Sequence, residues 1–273
     1  MGNYYSTTET PRLKKFTWMK DTPDSRDVLY VRPLSLNPNS SKLYNLQLPL
    51  TTDITEYRNY SSHAIVDVLD YNLKKKFNKM FLYYNQRLLN DTVDIDSGAS
   101  IRDGLKILNK IGICEESYHT EIDYRTTPST EAYTNALQYH GIVYKRLENS
   151  FINLLTLISL DIPIIFGYKI YNETDKTETK TKTKTKTKTK STHIGVCFGW
   201  DPDTKKFMVK NYYPNQTKDS TQVINMSSDY ICSLKCGDFW YFKPVVSDLQ
   251  EGVSFKDALV KNNFCMINTK FMD

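Results

Sequence analysis

The spacing of apolar residues changes character once along this chain, and that change constrains the fold more than any other feature. From Ser61 to Tyr71, Ala64, Ile65, Val68 and Leu69 fall three and four residues apart, the spacing of one helix face. Ser61 or Ser62 is placed to cap that helix. Phe77, Met80, Phe81, Tyr84 and Leu88 extend the pattern into a second helix beyond Lys74-Lys75-Lys76. Ser97-Gly98-Ala99-Ser100 opens a third over Ile101–Asn109, which Gly112 ends. Residues 129–140 read as a weaker helix after Pro128, and Leu154–Ile158 is again apolar at helical spacing. Beyond that point the runs are short, β-branched and aromatic. Ile162–Ile170, Ile194–Trp200, Lys206–Tyr213 and Phe239–Phe242 read as strands, with Asp201-Pro202-Asp203-Thr204 as a turn. Ahead of the helices, residues 16–27 are turn-rich, and Pro33, Pro38 and Pro49 keep 28–50 extended. Helices first and strands second predict an α+β chain with two unlike lobes.

The 273 residues include 20 Tyr, 12 Phe and 3 Trp, enough aromatic bulk for one large domain or two closely packed lobes. No run of about 18 apolar residues exists, which excludes a spanning helix. No basic-then-apolar signal segment opens the chain, so an intracellular location is expected, with the sequons at Asn59 and Asn90 unused. Five cysteines, an odd number without an export signal, read as reduced and buried thiols. Cys232 and Cys236 have the spacing of half a metal site, but no second pair completes it. Neither a metal nor a cofactor is expected.

Charge is uneven. Residues 171–192 hold seven lysines against Glu173, Asp175 and Glu178, most of the net charge of +5. The rest is close to neutral and makes no case for a specific nucleic-acid partner. The Thr-Lys repeat at 179–190 has a strand-like period but nothing apolar to bury, so it reads as a solvated loop. Its sharper reading is a basic finger, Lys176 to Lys190, for an anionic partner. Gly2-Asn3-Tyr4-Tyr5-Ser6 after Met1 fits the N-myristoylation pattern, and Arg12, Lys14 and Lys15 would add attraction to a membrane surface. The plain alternative is a flexible tail over 1–15.

Several blocks, in order, resemble the papain family of cysteine peptidases, most of all its short bacterial and large-DNA-virus members without a long propeptide. Trp18…Asp21-Thr22-Pro23-Asp24-Ser25-Arg26-Asp27 is similar to their W-x-x-D-x-P-D-x-R-D. Phe81-Leu82-Tyr83-Tyr84-Asn85-Gln86-Arg87 resembles their F-x-Y-Y-N-x-R. Asp96–Lys106 resembles D-x-G-A-x-I-R-D-G-I-K, and Gly112-Ile113-Cys114-Glu115-Glu116 their G-V-C-x-E. The resemblance implies a two-lobed domain over 16–273, with a helical lobe about 51–140 and a β-rich lobe about 141–273.

The same resemblance carries site residues over. Thr192-His193-Ile194-Gly195-Val196-Cys197-Phe198-Gly199-Trp200-Asp201 fits the block holding the family's histidine, which makes His193 that residue. Asn211 matches the orienting asparagine, although the serine, tryptophan and glycine after it are replaced. Laid without gaps, Asp53–Ala64 puts Ile54 on the oxyanion glutamine and Tyr60 on the nucleophilic cysteine. A one-residue gap would put Ser61 there instead, and Ser61 or Ser62 beside His193 would then form a Ser-His hydrolase. A phenol with a pKa of about 10 is a poor substitute for a thiolate. Losing one oxyanion donor lowers turnover on the order of 10²–10³. His193 also has a plainer reading, a hydrogen-bonded core histidine opening a strand.

The expectation is therefore a pseudopeptidase. It would hold a protein or peptide partner in a cleft made aromatic by Tyr57, Tyr60, Tyr212 and Tyr213, or act as a structural component. A divergent hydrolase and a myristoylated membrane adaptor are the alternatives. Richness in Asn, Lys, Tyr and Ile suits an AT-rich, viral genome, which would place the protein in a virion or host cytoplasm.

Overall fold

A computed structural model describes residues 18–49, 57–171, 189–212 and 223–245, without the side chains of Tyr171, Thr189 and Lys190. Gly2 and the tail, Ile54, most of the Thr-Lys repeat and Tyr213 lie outside the described residues.

Among the described residues the helices come first: α1 (Tyr60–Leu73), α2 (Lys79–Leu89), α3 (Ile101–Lys110) and α4 (Thr130–Ala136). A short strand, β1 (Tyr44–Asn45), precedes them. β2 (Ile142–Arg146) and α5 (Phe151–Ser159) follow, then β3 (Ile164–Tyr171), β4 (Thr189–Asp201), β5 (Lys206–Asn211), β6 (Val223–Ser227), the short α6 (Ser228–Ile231) and β7 (Cys236–Pro244). The strands form one antiparallel sheet in the order β2-β7-β3-β4-β5-β6, with β1 on β4.

The central helix differs from its reading in two ways. Periodicity gave it one apolar face, but every residue from Tyr60 to Asp70 is buried, because α2, α3, β4 and β7 surround it. Its cap is Asn59 rather than either serine. The Ser62 hydroxyl instead donates to the Asn59 carbonyl at 2.7 Å. The other helices start as their sequences dictate. Asn78 accepts from the Phe81 amide, and Ser100 accepts from the Asp103 amide at 3.1 Å. Gly112 ends the third-helix turn at φ 85°, where a Cβ would lie 2.1 Å from the Ala136 carbonyl oxygen.

The N-terminal block fastens the two lobes together. Trp18 lies over β3 so closely that a Cβ on Gly167 would sit 2.1 Å from its indole. Its Nε1 donates to Asp238 on β7 at 2.9 Å, and Trp240 Nε1 returns a bond to Asp21 at 2.7 Å. Arg102 on α3 pairs with Asp27, while Arg146 on β2 bridges Asp27 and Asp238, each at 3.1 Å. Desolvation and the neighbouring Asp238 charge push Asp21 up to about 6. Arg87 on α2 is fully buried, its guanidinium between the rings of Tyr83 and Tyr124 at 4.3 and 4.8 Å.

Candidate active site

The site residues come from the start of α1 and the middle of the sheet. Tyr60 is the first residue of α1 and has no exposed surface; it belongs to the core cluster that also holds Ile194, Tyr212 and Trp240. Tyr212 is equally buried, so neither ring lines an open wall, which corrects the aromatic-cleft expectation. Tyr57 is half-buried and stacks edge-on against Tyr124 at 5.0 Å.

His193 lies inside β4, four residues after its start, rather than opening the strand. It is fully buried, with Nε2 2.7 Å from the Ser191 hydroxyl and its ring tilted against Tyr168 at 5.5 Å. Burial pushes the imidazole down to about 4, so it is neutral at pH 7. Asn211 ends β5 and pairs with Gly195, two residues beyond His193 on the neighbouring strand. Its side-chain oxygen accepts from the Tyr168 hydroxyl at 2.6 Å.

The two alternative serines are turned elsewhere. Ser61 is buried and accepts from Gln86 Nε2 on α2 at 3.1 Å, and Ser62 is held by its own helix. The structure therefore brings His193 and Asn211 onto adjacent strands but gives neither serine an imidazole partner. The cysteines Cys114, Cys197 and Cys236 are buried, with thiol pKa values raised by desolvation; Cys232 is half-buried. Among the described residues no group of three His, Cys, Asp or Glu is arranged to hold a metal, and no helix is long and apolar enough to cross a membrane.

Sequence reading missed a buried polar cluster directly behind the site. Asp67 on α1 pairs with Lys210 on β5 at 2.6 Å, both essentially without exposed surface, and also accepts from the Tyr212 hydroxyl at 2.7 Å. Lys210 donates besides to the Pro49 carbonyl, which ties the chain before α1 to the sheet. Desolvation pushes Lys210 down while the Asp67 charge opposes the shift. His63 sits beside them, its ring 6.1 Å from that of Tyr212, with no hydrogen-bond partner for either nitrogen among the described residues, and burial drives it down to about 3. The available signal was Asp67 within an otherwise apolar helix and Lys210 at the buried end of β5. Charges there need partners.

Among the described residues, six α-helices accompany one antiparallel sheet, and the central helix packs on the sheet face that carries Ile194, Val196 and Tyr212, with His193 and Asn211 turned to the other face beside Tyr168; the architecture is that of the papain-like class. The chain has the fold of the papain-family cysteine peptidases and a relative in sequence among peptidase C1-like proteins. That relative is an uncharacterised peptidase C1-like protein of Acanthamoeba polyphaga mimivirus, 26% identical over an alignment of 277 positions, gaps included, that covers 86% of this chain and 89% of that one. Xylellain, a cysteine protease from Xylella fastidiosa, superposes with a TM-score of 0.72 at 24% identity, covering 87% of this chain and all of that one. A procathepsin B from Trypanosoma congolense follows with a TM-score of 0.60 at 10% identity, 86% of each chain being covered. No family model matches the chain.

Proposed function

We propose that this protein is a papain-like pseudopeptidase that binds a peptide or protein, or serves as a structural component, without hydrolysing it. The observation that carries the reading is Tyr60: the first residue of the central helix, where the family places its thiol, is a fully buried phenol. The helix N-terminus still offers its partial positive charge, but a phenol there is neutral at physiological pH and gives no nucleophile. The gapless alignment also puts Ile54 in place of the oxyanion glutamine, an aliphatic side chain with no donor to offer. Against a serine hydrolase stand the hydroxyls of Ser61 and Ser62, both engaged away from His193.

The test is intact-mass spectrometry after exposure to a thiol-directed epoxide and to a serine-directed fluorophosphonate, with His193→Ala as control. No adduct that depends on His193 is expected from either reagent. Stoichiometric labelling that disappears in His193→Ala would overturn the reading, and mapping the adduct would identify the nucleophile.

A further inference from the structure

Two cysteines outside the candidate site flank one tight turn between α6 and β7. Cys232 caps the end of α6, its amide donating to the Ser228 carbonyl at 3.0 Å, and Cys236 opens β7. The Cys236 amide donates to the Ser233 carbonyl at 3.1 Å, which closes a four-residue turn between the two. The Cys236 thiol then returns to the helix, with Sγ 3.6 Å from the Tyr230 carbonyl oxygen. Both side chains join the same core cluster, Cys236 inside it and Cys232 half-buried at its margin. A charge on Cys232 is close enough to push the Cys236 thiol up. Leu234, at the tip of the turn, is 98% exposed, so the turn itself lies at the surface.

The turn favours this pair over the third thiol near it. It holds the Cα of Ser233, the neighbour of Cys232, within about 7 Å of that of Cys236, the upper range that a disulfide spans. Cys197 also feels the Cys232 charge, but it is fully buried in β4, paired with Ile164 on one side and Val209 on the other. Bringing it to Cys232 would require α6 or the sheet to move. Cys236 gives up only a weak bond when it turns to Cys232. The Tyr230 carbonyl keeps the Ser233 amide at 3.1 Å and the Ser233 hydroxyl at 2.7 Å.

We propose that Cys232 and Cys236 form a site of reversible oxidation, a dithiol that a hydroperoxide converts into a disulfide. The more accessible sulfur, that of Cys232, attacks a peroxide oxygen as the thiolate. The O–O bond breaks, and the leaving oxygen takes up a proton and departs as water or an alcohol. Cys232 is then a sulfenic acid. The Cys236 sulfur forms the S–S bond, the S–O bond breaks, and hydroxide leaves with the Cys236 proton as water. The two thiols lose two electrons and two protons, and the hydroperoxide is reduced to an alcohol, or to water, plus one water. In a reducing compartment thiol exchange returns the disulfide to the dithiol. Desolvation and the Asp229 charge push the Cys232 thiol up, so the attack is slow at neutral pH and quickens as the thiolate fraction grows.

The experiment exposes the reduced full chain to hydrogen peroxide, alkylates it in denaturant and maps it by mass spectrometry without reduction. Trypsin cuts after Lys235, between the two cysteines, so their disulfide is read as two joined peptides. Two of the five thiols are expected to escape alkylation, the joined peptides to carry Cys232 and Cys236, and a dithiol reductant to restore all five. The rate is expected to rise about tenfold from pH 7 to pH 8. In Cys236→Ser, Cys232 is expected to stop at the sulfenic acid and to be trapped by dimedone. In Cys232→Ser, Cys236 is expected to stay reduced at the same peroxide concentration. A link from Cys232 to Cys197, to Cys265 or to a second copy of the chain overturns the inference. So does a sulfinic acid at Cys232 without a link. Five alkylated thiols, under peroxide that oxidises a cysteine peptide added to the same tube, overturn it as well.

Discussion

Single residues show how far the interior departs from an apolar core. Lys210 and Asp67 form an ion pair with almost no exposed surface, completed by the Tyr212 hydroxyl. Removing one member of such a pair leaves a buried charge without compensation. Lys210→Met is therefore expected to lower unfolding stability by about 3–5 kcal/mol, read from urea denaturation. Lys210→Met/Asp67→Asn is expected to recover a large part of that loss; if both variants are equally destabilised, the pair does not act as a unit. His63 behaves in the opposite sense. Neither of its nitrogens is hydrogen-bonded among the described residues, so the ring loses its hydration without compensation. His63→Leu is expected to be neutral or to raise stability at pH 7 by about 1–2 kcal/mol, measured in the same way.

At the scale of elements, close approach is made possible by glycine. Gly104 on α3 lets that helix meet α1 and α2; a Cβ there would lie 2.3 Å from Ile65 Cδ1 and 2.7 Å from Gln86 Nε2. Gly167 on β3 admits the rigid indole of Trp18 in the same way, with less room for relief. Gly167→Ala is expected to displace the indole, break its bond to Asp238 and cost about 3 kcal/mol, seen as a lower denaturant midpoint and increased Trp18 exposure to quenchers. An unchanged midpoint would mean that the N-terminal strap contributes little to joining the lobes. These elements were also the most readable in sequence. Ser100 as a cap, Gly112 as a terminator and Ile101, Leu105 and Leu108 as the inner face of α3 all follow from local rules. The start of α1 did not, because a fully buried helix hides its own periodicity, and Ser61 bonds to a neighbour that is remote in sequence, Gln86, while Ser62 bonds back to the Asn59 carbonyl.

For the whole molecule, four buried groups set a pH profile with opposing parts. His63 and His193 are depressed to about 3 and about 4, so the unfolded chain binds their protons near pH 6.5 while the folded chain does not. Their contribution to stability is full above pH 6.5 and is lost as the pH falls towards 4. Asp21 and Asp70 are raised to about 6 by desolvation, so the folded chain keeps their protons where the unfolded chain has released them. Their contribution is full below about pH 4 and is lost as the pH rises through 6. Between pH 4 and 6 the two pairs oppose each other, and a shallow stability profile is expected there. In Asp21→Asn/Asp70→Asn, stability should instead rise with pH across that window, at about 1.4 kcal/mol per pH unit for each histidine proton. Chemical denaturation at half-unit pH intervals checks this; a slope matching the wild type would mean that these carboxyls titrate normally.

What the sequence determined by itself was the class of fold; for the centre it supplied candidates by resemblance. Helical spacing before residue 160, strand spacing after it and the ordered blocks from Trp18 to Glu116 are local properties, and local properties survive without coordinates. They also placed His193 and Asn211 on neighbouring strands, because a hairpin brings residues close in sequence together. The tertiary structure decided what those residues touch. Tyr168 meets Asn211 across an intervening strand, Asp67 meets Lys210 between lobes, and Gln86 takes the Ser61 hydroxyl from another helix. Partners separated by 25 to 143 positions leave no trace in spacing or composition. Hydrogen bonds form between groups brought within about 3 Å by packing, and only the folded chain sets that distance.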